Sequence, residues 1–313
     1  MVMKVALVGI GKIARDQHIP SIAGSANWEL AATVSHQGTV DGVEAFADLD
    51  TLLSARPDIE VISLCLPPVP RFGYAAAALR AGRHVMLEKP PGATVAECHA
   101  LEAMARNAGV SLFAAWHSRE ALEVQRAKSW LKNSQLQSLK VTWKEDVRRW
   151  HPGQEWIWKT GGLGVFDPGI NALSIVTEIL PDPIHLNDAV LEFPENCETP
   201  IAAKLSFSHP QEAAVSAEFD WRQEGEQTWM IEAETDSGRM VMSDGGAVIS
   251  IDGQPALEPD TDGSALTGEY PRLYARMAAL VRAGEIDMDL SPMVHVADAF
   301  LLGKRLTVAP FHE

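Results

Sequence analysis

The sequence of 313 residues has little of several features that would point to particular classes of protein. Its three cysteines, Cys65, Cys98 and Cys197, are too few and too scattered for a disulfide framework or a zinc site, so we predict no metal centre. Basic residues are scarce, with 26 against 42 acidic residues, and the formal net charge of -16 disfavours nucleic acid and anionic membranes as partners. No apolar run approaches the roughly 20 residues that a membrane-spanning helix needs, and no secretory signal precedes the first predicted strand. These absences indicate a soluble protein of a reducing, cytoplasmic compartment.

The first third of the chain alternates short apolar runs with helical segments. The runs are typical of buried strands and cover residues 3–8, 29–34, 61–66, 84–87 and 111–115, with helical segments at 50–55, 71–81 and 95–107. Such alternation is typical of a doubly wound parallel sheet. The hydrophobic content of 46% is enough for a large core, and the length favours two domains.

A glycine-rich turn follows the first predicted strand directly. The segment Gly9-Ile10-Gly11-Lys12-Ile13-Ala14 has the G-x-G-x-x-A pattern of dinucleotide-binding turns. Gly9 permits the tight turn, and Gly11 lets the backbone approach a pyrophosphate at the N-terminus of the following helix. We therefore predict a Rossmann domain whose cofactor contacts Gly9, Gly11, Lys12 and Ile13.

The end of the second predicted strand bears on the choice of cofactor. An NAD-preferring site usually has a carboxylate there, whereas this chain has Ser35 and His36. Both side chains can donate hydrogen bonds to a 2′-phosphate, so we predict NADP as the cofactor. No arginine is adjacent in sequence, and we expect NAD to be accepted as well. After the third strand, Pro67 and Pro68 are predicted to turn the chain beneath the cofactor, although a rigid loop without ligand contacts explains them equally well.

The stretch Glu88-Lys89-Pro90 follows the fourth predicted strand directly. Ligands of open α/β sheets collect beyond the carboxyl ends of the strands, so an amine there can face cofactor and substrate. Lys89 is accordingly the first catalytic candidate, and Glu88 and Lys89 are predicted to lie at the cofactor. The alternative is a solvated lysine that merely follows a strand.

Beyond Trp116-His117 the alternation stops, and strands with period-two patterning follow one helical segment at 121–132. The predicted strands cover residues 139–145, 189–193, 201–208, 215–221, 229–235, 240–243 and 248–251, and helices are predicted at 271–283 and 292–305. This pattern predicts an α+β domain with a large open, mainly antiparallel sheet. We predict a dinucleotide-binding domain over residues 1–119 and a substrate-binding domain over 120–313. Helices would cover one face of the open sheet, and the other would join subunits of a homodimer or homotetramer.

Aromatic and polar residues are interleaved at the start of the second domain. Indole rings suit the C–H faces of a pyranose, and charged or amide groups suit its hydroxyls, so the mixture favours a sugar ligand. Packing in the core or at its rim is an alternative for each tryptophan, and His117 and His151 could be structural. The residues concerned are Trp143, Trp150, Trp156, Trp158, Glu145, Asp146, His151 and Gln154, with Trp116-His117 as a further possible contribution.

A glycine-rich approach to a helix, residues 161–171, contains Asp167 and Asn171. Residues four apart share one helix face, so both side chains could meet one small ligand. The alternative is that Asp167 followed by Pro168 is a helix N-cap with proline at the first position.

These motifs together resemble the family of glucose-fructose oxidoreductase and inositol dehydrogenase. The resemblance spans nearly the whole chain and implies a hydride transfer between substrate and NAD(P). The longest similar runs resemble those of the sugar 1-dehydrogenases of this family that act on D-galactose and L-arabinose. They cover residues 8–18, 86–94, 143–147, 150–154 and 164–171.

That resemblance implies oxidation of the anomeric C1 hydroxyl of an aldopyranose to a lactone. It places Lys89, Asp167 and Asn171 around the reacting hydroxyl. The residues that it implies for the sugar pocket are His117, Glu145, Trp150 and His151.

One position departs from the wider family, which often has a histidine four residues after the aspartate. This chain has Asn171, and an amide cannot serve as the base. Because a lysine beside the positive nicotinamide ring would lose its proton more readily, we hypothesise Lys89 as the base or proton relay. Two alternatives stay open: a dehydrogenase of another aldose or of a polyol, and a non-catalytic NADP-binding regulator.

Overall fold

The computed structural model describes residues 2–36, 38–255 and 268–312. They form two compact units, the first comprising Met1–His117 with Gly268–Leu290 and the second comprising Ser118–Thr267 with Ser291–Glu313. The predicted boundary at 119/120 lies close to the observed division at Ser118. The segment 268–290 differs from the prediction, because it belongs to the first unit.

The first unit contains a six-stranded sheet in which every pairing is parallel. The strand order is β3-β2-β1-β4-β5-β6, which is the doubly wound order of dinucleotide-binding domains. The central strands are buried on both faces, which explains their continuous apolar runs. The predicted parallel sheet is therefore confirmed. Its strands are β1 (Met3–Val8), β2 (Trp28–Val34), β3 (Glu44–Phe46), β4 (Val61–Leu64), β5 (His84–Glu88) and β6 (Leu112–Ala115).

The helices of the first unit follow the strands in sequence, apart from the last one. A helix over residues 12–23 contains a π-helical turn at Ala14–His18 and continues as α1 (Ile19–Ala23). The others are α2 (Leu49–Ala55), α3 (Pro68–Arg80), α4 (Val95–Ala108) and α8 (Glu269–Ala283). The Asp48 and Thr94 side chains cap α2 and α4 by accepting hydrogen bonds from backbone N–H groups.

Helix α8 explains why the segment 268–290 belongs to the first unit. Its Tyr270, Tyr274 and Met277 side chains are buried in the same apolar core as strand β1. The Trp28 indole donates a hydrogen bond to the Tyr274 carbonyl (2.9 Å). This return of the chain after the 150 residues 118–267 is a long-range contact that local sequence patterns do not reveal.

The second unit contains a nine-stranded sheet in the order β14-β13-β12-β11-β7-β10-β9-β8-β15. Six of its pairings are antiparallel, while β7 with β10 and β8 with β15 are parallel, which confirms a mainly antiparallel sheet. The predicted helix 292–305 is too long at its end, because Gly303 ends it and the chain continues as a strand. The strands are β7 (Leu136–Lys144), β8 (His185–Pro194), β9 (Ala202–Ser208), β10 (Ala214–Asp220), β11 (Thr228–Thr235), β12 (Gly238–Ser243), β13 (Val248–Ile251), β14 (Gln254–Pro255) and β15 (Lys304–Val308).

Helices cover one face of this sheet, and the opposite face is polar. Helix α7 packs on β7, α9 packs on β8, and α5 and α9 pack against α7. The helices are α5 (Val124–Leu131), α6 (Val147–Trp150), α7 (Phe166–Ile179) and α9 (Ser291–Leu302). On the opposite face, ion pairs join neighbouring strands, such as Lys144 with Glu218 (3.0 Å). The apolar side chains that β11 and β12 place on this face are Met230 and Val241, which are half-buried.

Candidate active site

The glycine-rich turn of the first unit has the shape that a dinucleotide needs. Gly9 has a φ of +90°, and its N–H donates to the Val34 carbonyl (2.8 Å), so the turn is attached to the end of β2. An added Cβ on Gly9 would lie 2.9 Å from the Leu66 side chain, whereas at Gly11 it would meet no atom within 4 Å. The backbone at Gly11 is thus open to a ligand at the start of the helix, where Lys12 and Ile13 form the first turn. These residues fit a dinucleotide pyrophosphate.

The residues predicted around the rest of the cofactor follow β2 and β4. Ser35 is half-buried and His36 is exposed, directly after β2. Pro67 is the N-cap residue of α3 and Pro68 is its first residue, so the proline pair begins a helix rather than forming an isolated loop. One cation near this loop is not predicted from the residues next to Ser35 and His36 in sequence. The Arg15 side chain reaches the loop after β2 and donates a hydrogen bond to the Thr39 carbonyl (3.2 Å).

Lys89 follows β5 in a segment whose backbone is attached to a buried arginine. The guanidinium of Arg71, which is 2% exposed, donates to the carbonyls of Glu88 and Pro90, on either side of Lys89. It also donates to the Leu66 carbonyl, just before α3. One buried cation therefore fixes both the lysine segment and the loop that begins α3. Arg71 was not among the predicted site residues.

The carboxylate of Glu88 is the centre of a buried polar network. His18 Nε2 lies 2.8 Å from Oε1, and the Tyr270 hydroxyl donates to the same oxygen (2.9 Å). The Lys89 N–H donates to Oε2 (3.0 Å), and His18 Nδ1 lies 2.8 Å from the Tyr274 hydroxyl. The side chain before the predicted catalytic lysine thus binds that lysine's backbone directly.

Protonation states in this network favour an ion pair. Burial opposes ionisation of Glu88, but the hydrogen bond from His18 and the charges of His18 and His117 lower the pKa of Glu88 to about 2. Burial likewise opposes the charged form of His18, yet its interactions with Cys65, Tyr274 and Glu88 raise its pKa well above the usual histidine value. Burial and the Glu88 charge raise the pKa of Tyr270, so its hydroxyl stays a donor.

His117, predicted to contact the sugar, lies at the end of β6 and is also buried. Its Nδ1 is 2.6 Å from Glu269 Oε2, and its ring stacks on Tyr270 with centroids 5.6 Å apart. Trp116 is only 4% exposed, and its indole donates to the Asp289 carbonyl (2.8 Å), so it is a core residue.

In the second unit, Glu145 follows β7 and accepts hydrogen bonds from two indoles. Trp221 Nε1 donates to Oε1 (3.3 Å) and Trp229 Nε1 donates to Oε2 (2.8 Å). Because β7 and β10 are parallel, Glu145 and Trp221 follow strands that end side by side. Neither indole was predicted at the site. The period-two pattern places Trp221 on the helix-covered face, but only the long-range pairing of β7 with β10 reveals its partner.

His151 brings the two predicted carboxylates of this unit together. Its Nε2 lies 3.5 Å from Asp167 Oδ2 and 3.9 Å from Glu145 Oε1. Both carboxylates are buried, at 4% and 6% exposure for Asp167 and Glu145. Three hydrogen-bonding side chains thus converge from the end of β7, the segment after α6 and the start of α7.

Asp167 does not have the capping role that was the alternative explanation for it. Helix α7 begins at Phe166 with Val165 as its N-cap residue, so Asp167 and Pro168 already lie within the first turn. Asn171 follows one turn later on the same helix and is half-buried. The shared helix face of Asp167 and Asn171 is therefore as predicted from their spacing.

Glycines allow the close packing of this helix. Gly164 has a φ of +55°, and a Cβ there would lie 2.9 Å from the Thr199 side chain. A Cβ on Gly169 would lie 2.7 Å from Phe219 Cδ2, so only glycine lets α7 approach β10 this closely.

The predicted tryptophan cluster divides between packing and exposure. Trp143 is a core residue at 5% exposure, and Trp158 packs edge-on against Trp221 (5.1 Å). Trp150 is 37% exposed, and its ring meets Trp229 at 62° with centroids 5.5 Å apart. The exposed indole of Trp150 therefore lies next to Trp229, which donates a hydrogen bond to Glu145.

In the part of the chain that the structure describes, no helix is long and apolar enough to cross a membrane. Among the same residues, no group of three or more His, Cys, Asp or Glu side chains could hold a metal ion.

The strand order of the first unit and its glycine-rich turn are those of a Rossmann-type dinucleotide-binding domain. Residues 3–115 match the family described as GFO_IDH_MocA, an oxidoreductase family with an NAD-binding Rossmann fold. Galactose 1-dehydrogenase from Pseudomonas fluorescens is 40% identical over 323 residues, which covers 99% of each chain. The chain belongs to this oxidoreductase family, as its motifs predict.

Solved structures agree with this assignment. The crystal structure of a D-galactose-1-dehydrogenase protein from Rhizobium etli matches with a TM-score of 0.94 and 55% identity, covering 99% of this chain and 98% of that one. KijD10, a 3-ketoreductase from Actinomadura kijaniata in a complex with NADP and TDP-benzene, matches with a TM-score of 0.84 over 98% of this chain and all of that one. At 19% identity, the second likeness concerns the fold alone.

Proposed function

We propose that this protein oxidises the anomeric C1 hydroxyl of D-galactose and L-arabinose to the corresponding lactones, with NADP as the preferred hydride acceptor and NAD also used. The observation that carries the proposal is the convergence of Glu145, His151 and Asp167, two buried carboxylates around one imidazole. Such groups accept and donate hydrogen bonds in the pattern that adjacent sugar hydroxyls require. The names of the two galactose dehydrogenase relatives support the same substrate class.

Each predicted residue receives a role in this reaction. When bound, the oxidised nicotinamide supplies the hydride acceptor. Asp167 and Asn171 orient the C1 hydroxyl, and Lys89 accepts or relays its proton. Glu145, His151 and His117 bind the remaining hydroxyls, and Trp150 offers an indole surface to the C–H groups of the ring.

The cofactor is proposed to bind the first unit through its glycine-rich turn. The open backbone at Gly11 receives the pyrophosphate. Ser35 and His36 face the 2′ position of the adenosine ribose, and Pro67, Pro68 and the Glu88-Lys89 segment border the nicotinamide side.

A panel of sugars tests the substrate assignment by the absorbance of reduced cofactor. D-galactose and L-arabinopyranose share their stereochemistry from C1 to C4 and differ by the exocyclic hydroxymethyl group, so both should react. D-glucose, which is inverted only at C4, is the matched control and should react poorly. Each sugar is assayed with NADP+ and with NAD+, and polyols such as inositol are included.

The outcomes separate the proposal from its alternatives. Turnover restricted to another aldose or to a polyol would replace the substrate assignment. Binding of NADP+ without turnover of any sugar or polyol would favour a regulator, although the presence of Lys89, Asp167 and Asn171 together argues against that reading. A cytoplasmic location stays a prediction.

A further inference from the structure

The loop after β2 is contacted by the side chain of Arg15, which belongs to the first helix. Arg15 lies in the first helix, three residues after the helix begins, and its side chain is exposed. Its Nη2 donates to the Thr39 carbonyl at 3.2 Å. The guanidinium therefore contacts the loop that begins with Ser35 and His36.

Gly38 makes room for this guanidinium. A Cβ on Gly38 would lie 2.6 Å from Arg15 Nη2, which any other residue could avoid only by moving the arginine. The same Cβ would lie 3.9 Å from the Ile10 carbonyl, so this loop also approaches the glycine-rich turn. Arg15, Gly38 and Ile10 thus meet between the turn and the end of β2, where a Rossmann domain receives the adenosine ribose.

Among the cations near the glycine-rich turn and the end of β2, Arg15 differs in having a neutral hydrogen-bond acceptor. Lys12 forms an ion pair with Asp16 one helical turn away. The Asp48 carboxyl, whose pKa is lowered chiefly by hydrogen bonds from Thr51 and to the smallest extent by His36, adds a negative group near His36. The Thr39 carbonyl, in contrast, is a neutral acceptor that takes a hydrogen bond from one nitrogen of a group with five N–H donors.

We propose that Arg15 binds the 2′-phosphate of NADP and, with the hydroxyl of Ser35, sets the preference for NADP over NAD. A guanidinium presents two parallel N–H groups to a phosphate, and it stays charged at any pH that the protein tolerates. The cofactor without this phosphate loses that contact but retains the glycine-rich turn, so NAD still binds. The inference deepens the proposed cofactor preference and rests on it.

Binding of NADP+ and NAD+ to the full-length protein, measured by isothermal titration calorimetry without sugar, tests this assignment. Arg15→Gln should weaken NADP+ binding by about 10- to 100-fold, the usual effect of losing a hydrogen bond between charged groups. It should change NAD+ binding by less than about threefold. Arg106→Gln, which removes another exposed guanidinium, from α4, is the matched control and should change neither.

A second variant approaches the same site from the opposite direction. Ser35→Asp places a carboxylate at the strand end, so it should repel the 2′-phosphate and reverse the order of the two affinities. The NADP+ affinity of the unaltered protein should also fall more steeply with salt than that of Arg15→Gln.

Three results would overturn the inference. An equal loss for both cofactors would make Arg15 a structural link between the helix and the loop. Unchanged NADP+ binding in Arg15→Gln would remove it from the site, and a wild-type protein that prefers NAD+ would remove the site itself. Failure of the sugar panel would leave these binding results intact, so the two hypotheses fail separately.

Discussion

Lys89 shows how much surrounding structure is devoted to one residue. The carbonyls before and after it accept hydrogen bonds from Arg71 on α3, and its own N–H is bound by the Glu88 carboxylate. That carboxylate is in turn fixed by His18 and by Tyr270 on α8. For the proposed role of Lys89, a backbone fixed from three elements means that little freedom is lost on reaching the productive geometry.

The proposed role of Lys89 predicts a large kinetic effect. Lys89→Met keeps the stem of the side chain but removes its amine, so kcat with D-galactose should fall by about 10²- to 10⁴-fold. Calorimetric binding of NADP+ should persist, which separates lost chemistry from lost folding. Lys128→Met, at an exposed ion pair on α5, is the matched control and should be silent. Near-normal turnover of Lys89→Met with an unchanged pH profile would assign the proton to another group.

The lowered pKa of Glu88 predicts that the stability of the protein depends on pH. Its pKa is about 2 in the folded protein, against 4.5 as the ordinary value, so the unfolded chain binds the extra proton between these values. Its contribution is therefore complete above about pH 5 and is lost as the pH falls towards 2, by roughly 3 kcal/mol in total.

The measurement is the free energy of unfolding by urea across this range. Glu88→Gln should show a shallower decline below pH 5 than the unaltered protein, even if it is less stable throughout because His18 has lost its partner. Parallel declines in the two proteins would show that Glu88 does not titrate with a lowered pKa.

At the scale of elements, helix α7 is a largely buried part of the second unit. Eleven of its residues are buried, including Asp167, and it packs against β7, α5 and α9. A buried carboxylate in an apolar helix is costly unless it is paired. His151 is its neighbour within this unit, so the position of α7 decides the distance between the two groups.

A substitution at Gly169 tests how closely α7 packs against β10. Gly169→Ala would place a methyl group 2.7 Å from Phe219, so we expect a loss of about 1–3 kcal/mol of stability from overpacking. Gly73→Ala, at an exposed position of α3 with no atom within 4 Å of the added Cβ, should instead be neutral or stabilising by up to about 1 kcal/mol. Urea denaturation of both variants checks the contrast, and equal effects would refute the packing argument.

The elements of the first sheet could be predicted from sequence because each is a local pattern. A buried parallel strand is a continuous apolar run, and residues 3–8 and 84–87 stand out between helical segments. The prediction for the end of α9 is wrong for a local reason too, since Leu301 and Leu302 continue the apolar pattern of the helix up to Gly303. Short edge strands such as β3 have too few residues to show a period.

The site could be predicted only in part, because much of it depends on long-range pairing. Spacing predicts the shared helix face of Asp167 and Asn171, which the structure has, whereas the cofactor contact that the lysine motif predicts for Glu88 and Lys89 stays a prediction. No local pattern shows that Trp229 binds Glu145 across 84 residues, that Tyr270 returns to Glu88 across 182, or that Arg15 reaches the loop at Thr39. These partners follow from sheet order and helix packing, which arise only in the folded chain.

At the scale of the whole molecule, a formal net charge of -16 opposes an anionic cofactor. Binding must then depend on local groups, and the proposed ones are the N–H groups at the glycine-rich turn and the Arg15 guanidinium. The uncovered face of the nine-stranded sheet has a different character, since several of its charges are paired with partners on neighbouring strands, such as Arg239 on β12 with Glu232 on β11 (2.5 Å). Such pairing reduces the repulsion between this face and a second copy of itself.

This balance bears on the homodimer or homotetramer predicted through the uncovered face. If subunits meet there, Glu218→Lys would place a third cation beside Lys144 and Lys204, which lie 3.0 and 3.9 Å from the Glu218 carboxylate. Repulsion of like charges at an interface should raise the dissociation constant at least about tenfold. Glu102→Lys, beside Arg106 on α4, is the matched control for the change in net charge. Light scattering should find an oligomer for the unaltered protein and the control but smaller species for Glu218→Lys, and an unaltered protein that is monomeric would remove the prediction.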